Sequence, residues 1–246
     1  MKTPVTTFRC PPEALDHLTR CDPALGAYIT RYGPLERPLI PDQFEAIATN
    51  IVSQQISGKA AETVLARLRG QLGQLTPERL LAGTDDTLRG CGLSTRKVAY
   101  LRAAAEAMTD GRLRAEELAG LPDEEAIRRL DALPGIGRWT AEMLLIFSFG
   151  RPDILSFDDL GIRRGLTRLH GIDRFPPDVR ARYRALYSPY GTTASFYLWR
   201  IASERYPRCN PDTKKEERFP TLLFCHASRE SPIRRTRWQQ PAPRAA

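Results

Sequence analysis

A tight turn followed downstream by two adjacent acids is the part of this sequence with the clearest chemistry. The turn has the sequence Leu-Pro-Gly-Ile-Gly over residues 133–137, and the acids are Asp158 and Asp159. Pro134 and the two glycines predict a bend at a helix start, so that the amides of residues 136–138 point outward and can bind an anion such as a DNA phosphate. The acids precede a helical pattern, where one aspartate is enough for capping and the other is left over.

The spare carboxylate indicates chemistry on a sugar. Cleavage of the bond between a base and deoxyribose passes through a state in which positive charge spreads over the sugar ring. A fixed negative charge stabilises that state more than the ground state, so the combination favours hydrolysis of a glycosidic bond in DNA. The turn alone fits two other interpretations equally well. One is a plain helix connection, and the other is a non-catalytic helix-hairpin-helix module that binds the DNA backbone.

The elements that position these residues are predicted to be helices almost throughout, so the fold class is all-α. The turn lies between helices expected at 123–132 and 137–149, and the aspartates begin a helix at 159–170. Helical periodicity, proline and capping residues predict the remaining helices, which are 11–20, 22–32, 42–53, 58–69, one starting at 76, one at 84, 95–110, 177–185 and 192–206.

Five segments in order carry a resemblance to a known family: 51–57 (IVSQQIS), 92–97 (GLSTRK), 133–141 (LPGIGRWTA), 157–162 (FDDLGI) and 197–199 (YLW). They resemble the helix-hairpin-helix (HhH-GPD) base-excision DNA glycosylases, and within them the DNA-3-methyladenine glycosylase II family, over about residues 8–208. The resemblance implies a monofunctional enzyme that flips alkylated purines out of double-stranded DNA and leaves an abasic site. A glycosylase for other damaged bases is the related alternative.

The resemblance also implies roles for single residues around the lesion. Asp159 matches the catalytic acid, whereas Asp158 falls where a structural or capping acid is tolerated. Further residues are expected to line the substrate pocket: Trp139 and Trp199 as aromatic walls, Gln54 beside them, and Met143 where the family adds another aromatic. Tryptophans on apolar helical stripes are more often core than pocket, and it is their pairing with Asp159 that favours the pocket.

A second set of residues matches the family's contacts to DNA. Gln55 resembles the side chain that fills the gap left by the flipped nucleotide, and the Leu93-Ser94 turn resembles a second loop that grips the backbone. The remaining DNA-binding residues are expected to be Lys97, Pro134, Gly135, Ile136, Gly137, Arg138 and Thr140. Lys97 has the alternative interpretation of an ordinary surface charge.

The residue after Arg138 bears on the reaction class. Relatives that also cut the strand place a lysine at the position of Trp139, and tryptophan has no amine to attack the sugar, so water is the expected nucleophile. An indole wall also favours a cationic alkylated base, through a cation–π interaction of about 0.5 to 2 kcal/mol. We therefore expect 3-methyladenine and 7-methylguanine among the substrates.

Composition agrees with a polyanionic partner. Lys and Arg number 37 against 29 Asp and Glu, a formal net charge of +8, and about half of that excess lies in residues 221–246. The sequence has neither an apolar run of transmembrane length nor a signal-peptide core near Met1. We expect a monomer that acts on DNA without a membrane, in the cytoplasm of a bacterium, associated with the nucleoid.

Cysteine and histidine spacing predicts no cofactor for catalysis. The five cysteines are scattered and odd in number, which is typical of reduced thiols, and they lack the four-cysteine spacing of the iron–sulfur cluster found in several relatives. The three histidines are equally dispersed, so no metal site is expected. The one ion that we expect is a monovalent cation bridging hairpin carbonyls to a DNA phosphate.

The predicted domain organisation is a glycosylase core over residues 1–213 and a tail over 214–246. Within the core, one lobe covers about 35–150, and the other combines about 8–34 with 151–208. We expect the DNA-binding cleft between the lobes, with Asp159 and Trp199 in it, and no room for the N-terminal β-domain of larger relatives. The basic tail, rich in proline and arginine, is expected to be flexible and to add nonspecific DNA affinity.

Overall fold

Thirteen α-helices and one small antiparallel sheet make up residues 6–204 of the computed structural model, which is the part of the chain that the structure describes. The strands β1 (Thr7–Arg9) and β2 (Glu36–Pro38) pair with Phe8 opposite Arg37. The helices are α1 (Pro12–Cys21), α2 (Pro23–Tyr32), α3 (Gln43–Ser53), α4 (Gly58–Leu72), α5 (Pro77–Ala82), α6 (Asp85–Gly90), α7 (Thr95–Thr109), α8 (Ala115–Gly120), α9 (Asp123–Asp131), α10 (Arg138–Phe147), α11 (Leu160–His170), α12 (Pro177–Tyr187) and α13 (Gly191–Ser203). The all-α prediction is confirmed.

Local capping explains why the helices begin where they do. At seven N-caps, a side-chain oxygen accepts a hydrogen bond from an amide in the first turn. These caps are Asp22, Asp42, Ser57, Thr76, Thr84, Ser94 and Asp159. Proline at the first or second position adds a start signal to α1, α2, α5 and α12. Both signals are short-range, so the sequence predicted most helix starts to within a residue or two.

The main contacts divide most of the helices into two sets. One set contains α1, α2, α11, α12 and α13, and the other contains α3 to α7 with α9 and α10. A single network of buried side chains, from Leu18 through Ile47 and Leu145 to Phe196, runs through both sets. The two sets group the same parts of the chain as the predicted lobes do. The lobe boundaries stay a prediction, because one continuous core runs through both sets.

Three unpredicted elements and one helix end are the clearest differences from the sequence-based expectation. The two strands and α8 were not predicted, because three- and six-residue elements are too short to show periodicity and α8, unlike the equally short α5 and α6, has no capping side chain at its start. Helix α13 ends at Ser203 rather than at 206. The predicted tail over 214–246 lies outside the described residues. None of the helices in 6–204 has both the length and the apolar character needed to cross a bilayer.

Candidate active site

The carboxylate of Asp159 is held by three N–H donors. Its Oδ1 accepts from the amide of Ile162 at 2.9 Å and from Nε1 of Trp199 at 2.8 Å, and its Oδ2 accepts from Nε1 of Trp139 at 3.0 Å. Asp159 is only 4 % exposed, whereas both tryptophans are half-buried. The structure therefore brings together the three residues that the sequence proposed as the centre of the site.

Asp159 lies where the two helix sets meet. It precedes α11, which packs along α13, the helix that carries Trp199. Trp139 comes from the first turn of α10, in the other set. The ring of Trp199 stacks on Phe147 with centroids 5.7 Å apart and an interplanar angle of 22°. Tertiary packing thus brings donors from two separate helices to one carboxylate.

The expected division of labour between the two aspartates was wrong. Asp159 itself is the N-cap of α11, whereas Asp158 is exposed and has its Oδ1 3.7 Å from Nη1 of Arg180. The physical reason is that α11 begins at Leu160, and only the residue before the first helical position has the extended backbone that lets its side chain reach back to the helix amides. The capping bond to Ile162 therefore fixes the carboxylate that also receives both indoles.

Gly161 is a site residue that the sequence reasoning missed. A Cβ atom at Gly161 would lie 2.6 Å from Cδ1 of Trp199 and 3.0 Å from Oδ1 of Asp159. Only glycine lets the indole rest on the first turn of α11. The sequence did carry a signal for it. Glycine destabilises a helix, so a glycine in the first helical turn, two residues after the capping acid, indicates that a neighbour needs the space.

The hairpin turn is shaped by a close approach of Gly135 to an aromatic ring. Gly135 has φ +85°, and a Cβ atom there would lie 2.2 Å from Cδ2 of Tyr100. Tyr100 was not among the predicted site residues. The amide of Ile136 donates to the carbonyl of Leu133 at 3.1 Å, so it is not free for a phosphate as expected. Gly137 is exposed at the N-terminus of α10, where the first amides have no partner within the helix.

Several predicted contacts cannot be made by side chains in this arrangement. The side chains of Ile136, Thr140, Met143 and Leu93 are packed in the core at 2 to 5 % exposure. The apolar side chains of Ile136 and Leu93 offer no group to a phosphate, and Met143 forms part of the core rather than an open wall. The phosphate contact expected of the Thr140 hydroxyl stays a prediction. These residues were assigned to the site from their positions in the family motifs. A position in a motif does not indicate which face of a helix is buried.

The guanidinium of Arg138 is held away from the turn by glutamates. Its Nη1 and Nη2 donate to the two oxygens of Glu124 at 3.0 and 2.6 Å, and its Nε donates to Oε1 of Glu142 at 3.2 Å. These bonds raise the pKa of Arg138, with the hydrogen bond to Glu124 as the largest cause. The guanidinium is thus engaged by two carboxylates, and the DNA contact expected of Arg138 stays a prediction.

The turn at Gln54 and Gln55 follows the end of α3. Gln55 is exposed and has φ +59°, a conformation that non-glycine residues rarely adopt. Gln54 donates from Nε2 to the carbonyl of Gly135 at 2.7 Å, which ties this turn to the hairpin. The two predicted DNA elements are therefore physically joined.

Lys97 holds the same turn from the other side. Its Nζ donates to the carbonyls of Val52 and Gln54, both at 2.7 Å, so it caps the C-terminus of α3. Burial of the ammonium lowers its pKa. The alternative of a plain surface charge is wrong, because Lys97 binds two carbonyls of its own chain, and the phosphate contact expected of Lys97 stays a prediction. Nearby, Ser94 caps α7 through the Lys97 amide and is exposed, as a backbone-gripping turn requires.

A polar cavity of about 330 Å³ adjoins Asp158 on the side of α9 and α12. It is lined by acidic and basic side chains around Phe157, namely Glu124, Arg138, Glu142, Asp158, Arg180 and Arg184. Three acidic and three basic side chains therefore face one another across it. Among the described residues, no group of three or more His, Cys, Asp or Glu is placed to hold a metal, and Cys10, Cys21 and Cys91 are free thiols.

Comparison with known proteins identifies the family. The family model described as "HhH-GPD superfamily base excision DNA repair protein" matches residues 48–189, which is more than half of the chain. The chain belongs to this superfamily. The match includes the Gln54–Gln55 turn, the hairpin and Asp159, but not Trp199. The resemblance inferred from the sequence is thereby confirmed.

Individual HhH-GPD proteins support the same relationship. The DNA-3-methyladenine glycosylase 1 of Schizosaccharomyces pombe is 38% identical over 166 residues, which are 65% of this chain and 73% of that protein. The crystal structure of a DNA-3-methyladenine glycosidase from Bacillus halodurans is 35% identical, with a TM-score of 0.73 over 80% of this chain and 93% of that one. An S. pombe 3-methyladenine DNA glycosylase in complex with abasic DNA is 36% identical, with a TM-score of 0.65 over 76% and 95%.

Proposed function

We propose that this protein is a monofunctional DNA glycosylase that hydrolyses alkylated purines of the 3-methyladenine and 7-methylguanine type from double-stranded DNA, in base excision repair. The observation that carries the proposal is the Asp159 carboxylate, fixed by a helix cap and by two indole donors at the junction of the helix sets. Relatives named for this activity, at 35 to 38% identity, support the substrate class.

In the proposed reaction, Asp159 stabilises positive charge on the sugar. Of its two oxygens, Oδ2 accepts one of the described hydrogen bonds and Oδ1 accepts two, so Oδ2 has the lone pair left to face the sugar ring or orient water. Asp159 is buried, and the half-buried indole of Trp139 lies against the oxygen that is to face the nucleoside. A charge held in a site that excludes water stabilises the transition state far more than the same charge in solvent.

The chemistry of Trp139 supports a water nucleophile. Its indole nitrogen donates to Asp159 and has no free amine chemistry, so no covalent intermediate with the sugar is formed. The product is an abasic site in an intact strand. The exposed parts of Trp139 and Trp199 provide π-faces that favour a cationic base.

DNA engagement in this proposal uses the two joined turns. The amides at the start of α10 and around Ser94 bind phosphates, and Gln55, exposed at positive φ, enters the stack in place of the flipped nucleotide. Gln54 keeps the two turns at a constant spacing. The protein acts as a monomer and carries out this reaction in the cytoplasm of a bacterium, on the nucleoid.

Cofactor use in the proposal follows from the chemistry. A carboxylate and water are sufficient for release of an already cationic base, so the reaction needs no iron–sulfur cluster or catalytic metal. A monovalent cation at the hairpin stays a prediction. The Gly135 carbonyl already accepts from Gln54, and its second lone pair is the one such a cation would use.

The decisive experiment removes the charge at one aspartate and leaves its neighbour as the control. In single-turnover assays on methylated duplex DNA, Asp159→Asn should lower the rate of base release about a hundredfold or more, while binding to abasic DNA is retained. Asp158→Asn should keep the parental rate, because Asp158 is exposed and outside the hydrogen-bonded centre. Parental rates in Asp159→Asn would refute the assignment. DNA binding without base release by the parent protein would instead support the non-catalytic module.

The reaction class has its own test. Borohydride added during turnover should trap no covalent protein–DNA adduct. A trapped adduct would show that an amine attacks the sugar and that the chain is a lyase as well.

A further inference from the structure

Glu142 is a buried acid for which the proposed mechanism has no use. It lies on α10, one turn after Trp139, and is 3 % exposed. Burial raises its pKa, opposed by the hydrogen bond from Ser156 and by the charges of Arg138 and Arg184, while Asp158 adds to the rise. A carboxylate that costs this much desolvation is kept in place only by strong partners.

The partners of Glu142 lead from the hairpin to the catalytic loop. The Oγ of Ser156, which is fully buried, donates to Oε2 of Glu142, and the carbonyl of Ser156 accepts from the amide of Asp159 at 3.3 Å. On the other side, Oε1 of Glu142 accepts from Nε of Arg138 at 3.2 Å. A continuous chain of contacts therefore runs from Arg138, at the N-terminus of α10, to the backbone of Asp159.

This chain closes a ring that includes the active centre. Trp139 and Glu142 are both on α10. The indole of Trp139 donates to the Asp159 side chain, and Glu142 accepts from the serine that receives the Asp159 amide. The same helix thus holds the catalytic residue at its side chain and at its backbone. These two contacts join the end of the loop before α11 directly to α10.

We propose that Glu142, acting through Ser156, is a positioning residue that holds Asp159 in register with the hairpin helix α10. The inference rests on the proposed function of Asp159. When the amides at the start of α10 bind DNA, the Glu142–Ser156 bond keeps the carboxylate at a constant position relative to the anchored phosphate. Glu142 itself touches neither the sugar nor the base.

The test compares two buried serines and two changes at one glutamate. Ser156→Ala and Glu142→Ala should lower the single-turnover rate of base release about tenfold to a hundredfold, the loss expected from a small misplacement of a catalytic group, with unchanged affinity for abasic DNA. Ser148→Ala is the matched control, because Ser148 is also buried near the end of α10 but its Oγ has no hydrogen-bond partner. It should keep the parental rate.

The conservative change separates positioning from acid–base chemistry. In Glu142→Gln, the amide oxygen can accept from Arg138 and the amide nitrogen can donate to the Ser156 hydroxyl, so most of the rate should return. A parental rate in Ser156→Ala, an equal loss in Ser148→Ala, or a Gln variant as slow as the Ala variant would each overturn the proposal. Should Glu142→Ala fail to fold, Ser156→Ala still decides. Activity in Asp159→Asn would instead overturn the proposed function.

Discussion

Trp199 rests on Gly161 so closely that a methyl group on the glycine would lie 2.6 Å from Cδ1 of the indole. The same methyl group would lie 3.0 Å from the Asp159 oxygen that this indole binds. The position of one glycine in the first turn of α11 therefore sets the geometry between the proposed catalytic acid and its aromatic partner.

Gly161→Ala should separate Trp199 from Asp159 and lower the rate of base release about tenfold, because the alanine methyl occupies the space of the indole edge. Single-turnover release of 3-methyladenine measures the effect. Gly70→Ala is the matched helical control. A Cβ at Gly70 meets nothing within 4 Å, so this change should leave the rate unchanged and stabilise α4 by about 0.5 to 1 kcal/mol. Equal rates in the two variants would contradict the role of the contact.

Trp199→Phe removes the N–H donor and keeps an aromatic ring. The loss of the 2.8 Å bond to Asp159 should reduce the rate about tenfold, since hydrogen bonds to charged groups contribute about 1.5 to 3 kcal/mol. Trp199→Ala should also change the ratio of released 3-methyladenine to 7-methylguanine, because it removes the ring as well as the donor. The released-base profile of methylated DNA measures both effects, and an unchanged rate in Trp199→Phe would mean that the indole N–H is dispensable.

Lys97→Met should weaken the turn that carries Gln55. Without the ammonium, the carbonyls of Val52 and Gln54 lose their donor, and excision from duplex DNA should fall about tenfold. Excision from single-stranded DNA should not change, because no stack has to be filled there. Lys59→Met, at an exposed lysine of α4, serves as the control. A loss that is equal on both substrates would point to general unfolding instead.

The pH dependence of the free energy of unfolding should reveal the raised pKa of Glu142. Its pKa is raised in the folded state by burial, so the folded protein binds a proton more readily than the unfolded chain. The stability that this group contributes is therefore fully present below its ordinary pKa of 4.5 and is lost as pH rises through the raised pKa of the folded state. As pH rises over that range, the urea midpoint of unfolding should fall in the parent relative to Glu142→Gln, which has no carboxyl group to ionise. Ser148→Ala, which removes no titratable group, should run parallel to the parent at every pH.

Local chemistry carries most of what could be predicted. Capping side chains and prolines mark the helix starts, so the all-α class was accessible from the residues themselves. The family and the role of Asp159 came from the resemblance of five short motifs, because the paired acids alone do not say which aspartate is the catalytic one. Each of these signals needs only neighbours within a few residues.

Tertiary structure decided which groups meet. Lys97 turns to carbonyls at the end of α3, Arg138 to Glu124, Glu142 to Ser156, and Trp199 to the oxygen beside Gly161. These partners are far apart along the chain, and periodicity describes a helix face without saying what covers it. The choice between Asp158 and Asp159 as the cap depended on the single residue at which α11 begins, because only the residue before the first helical position has the extended backbone of a cap.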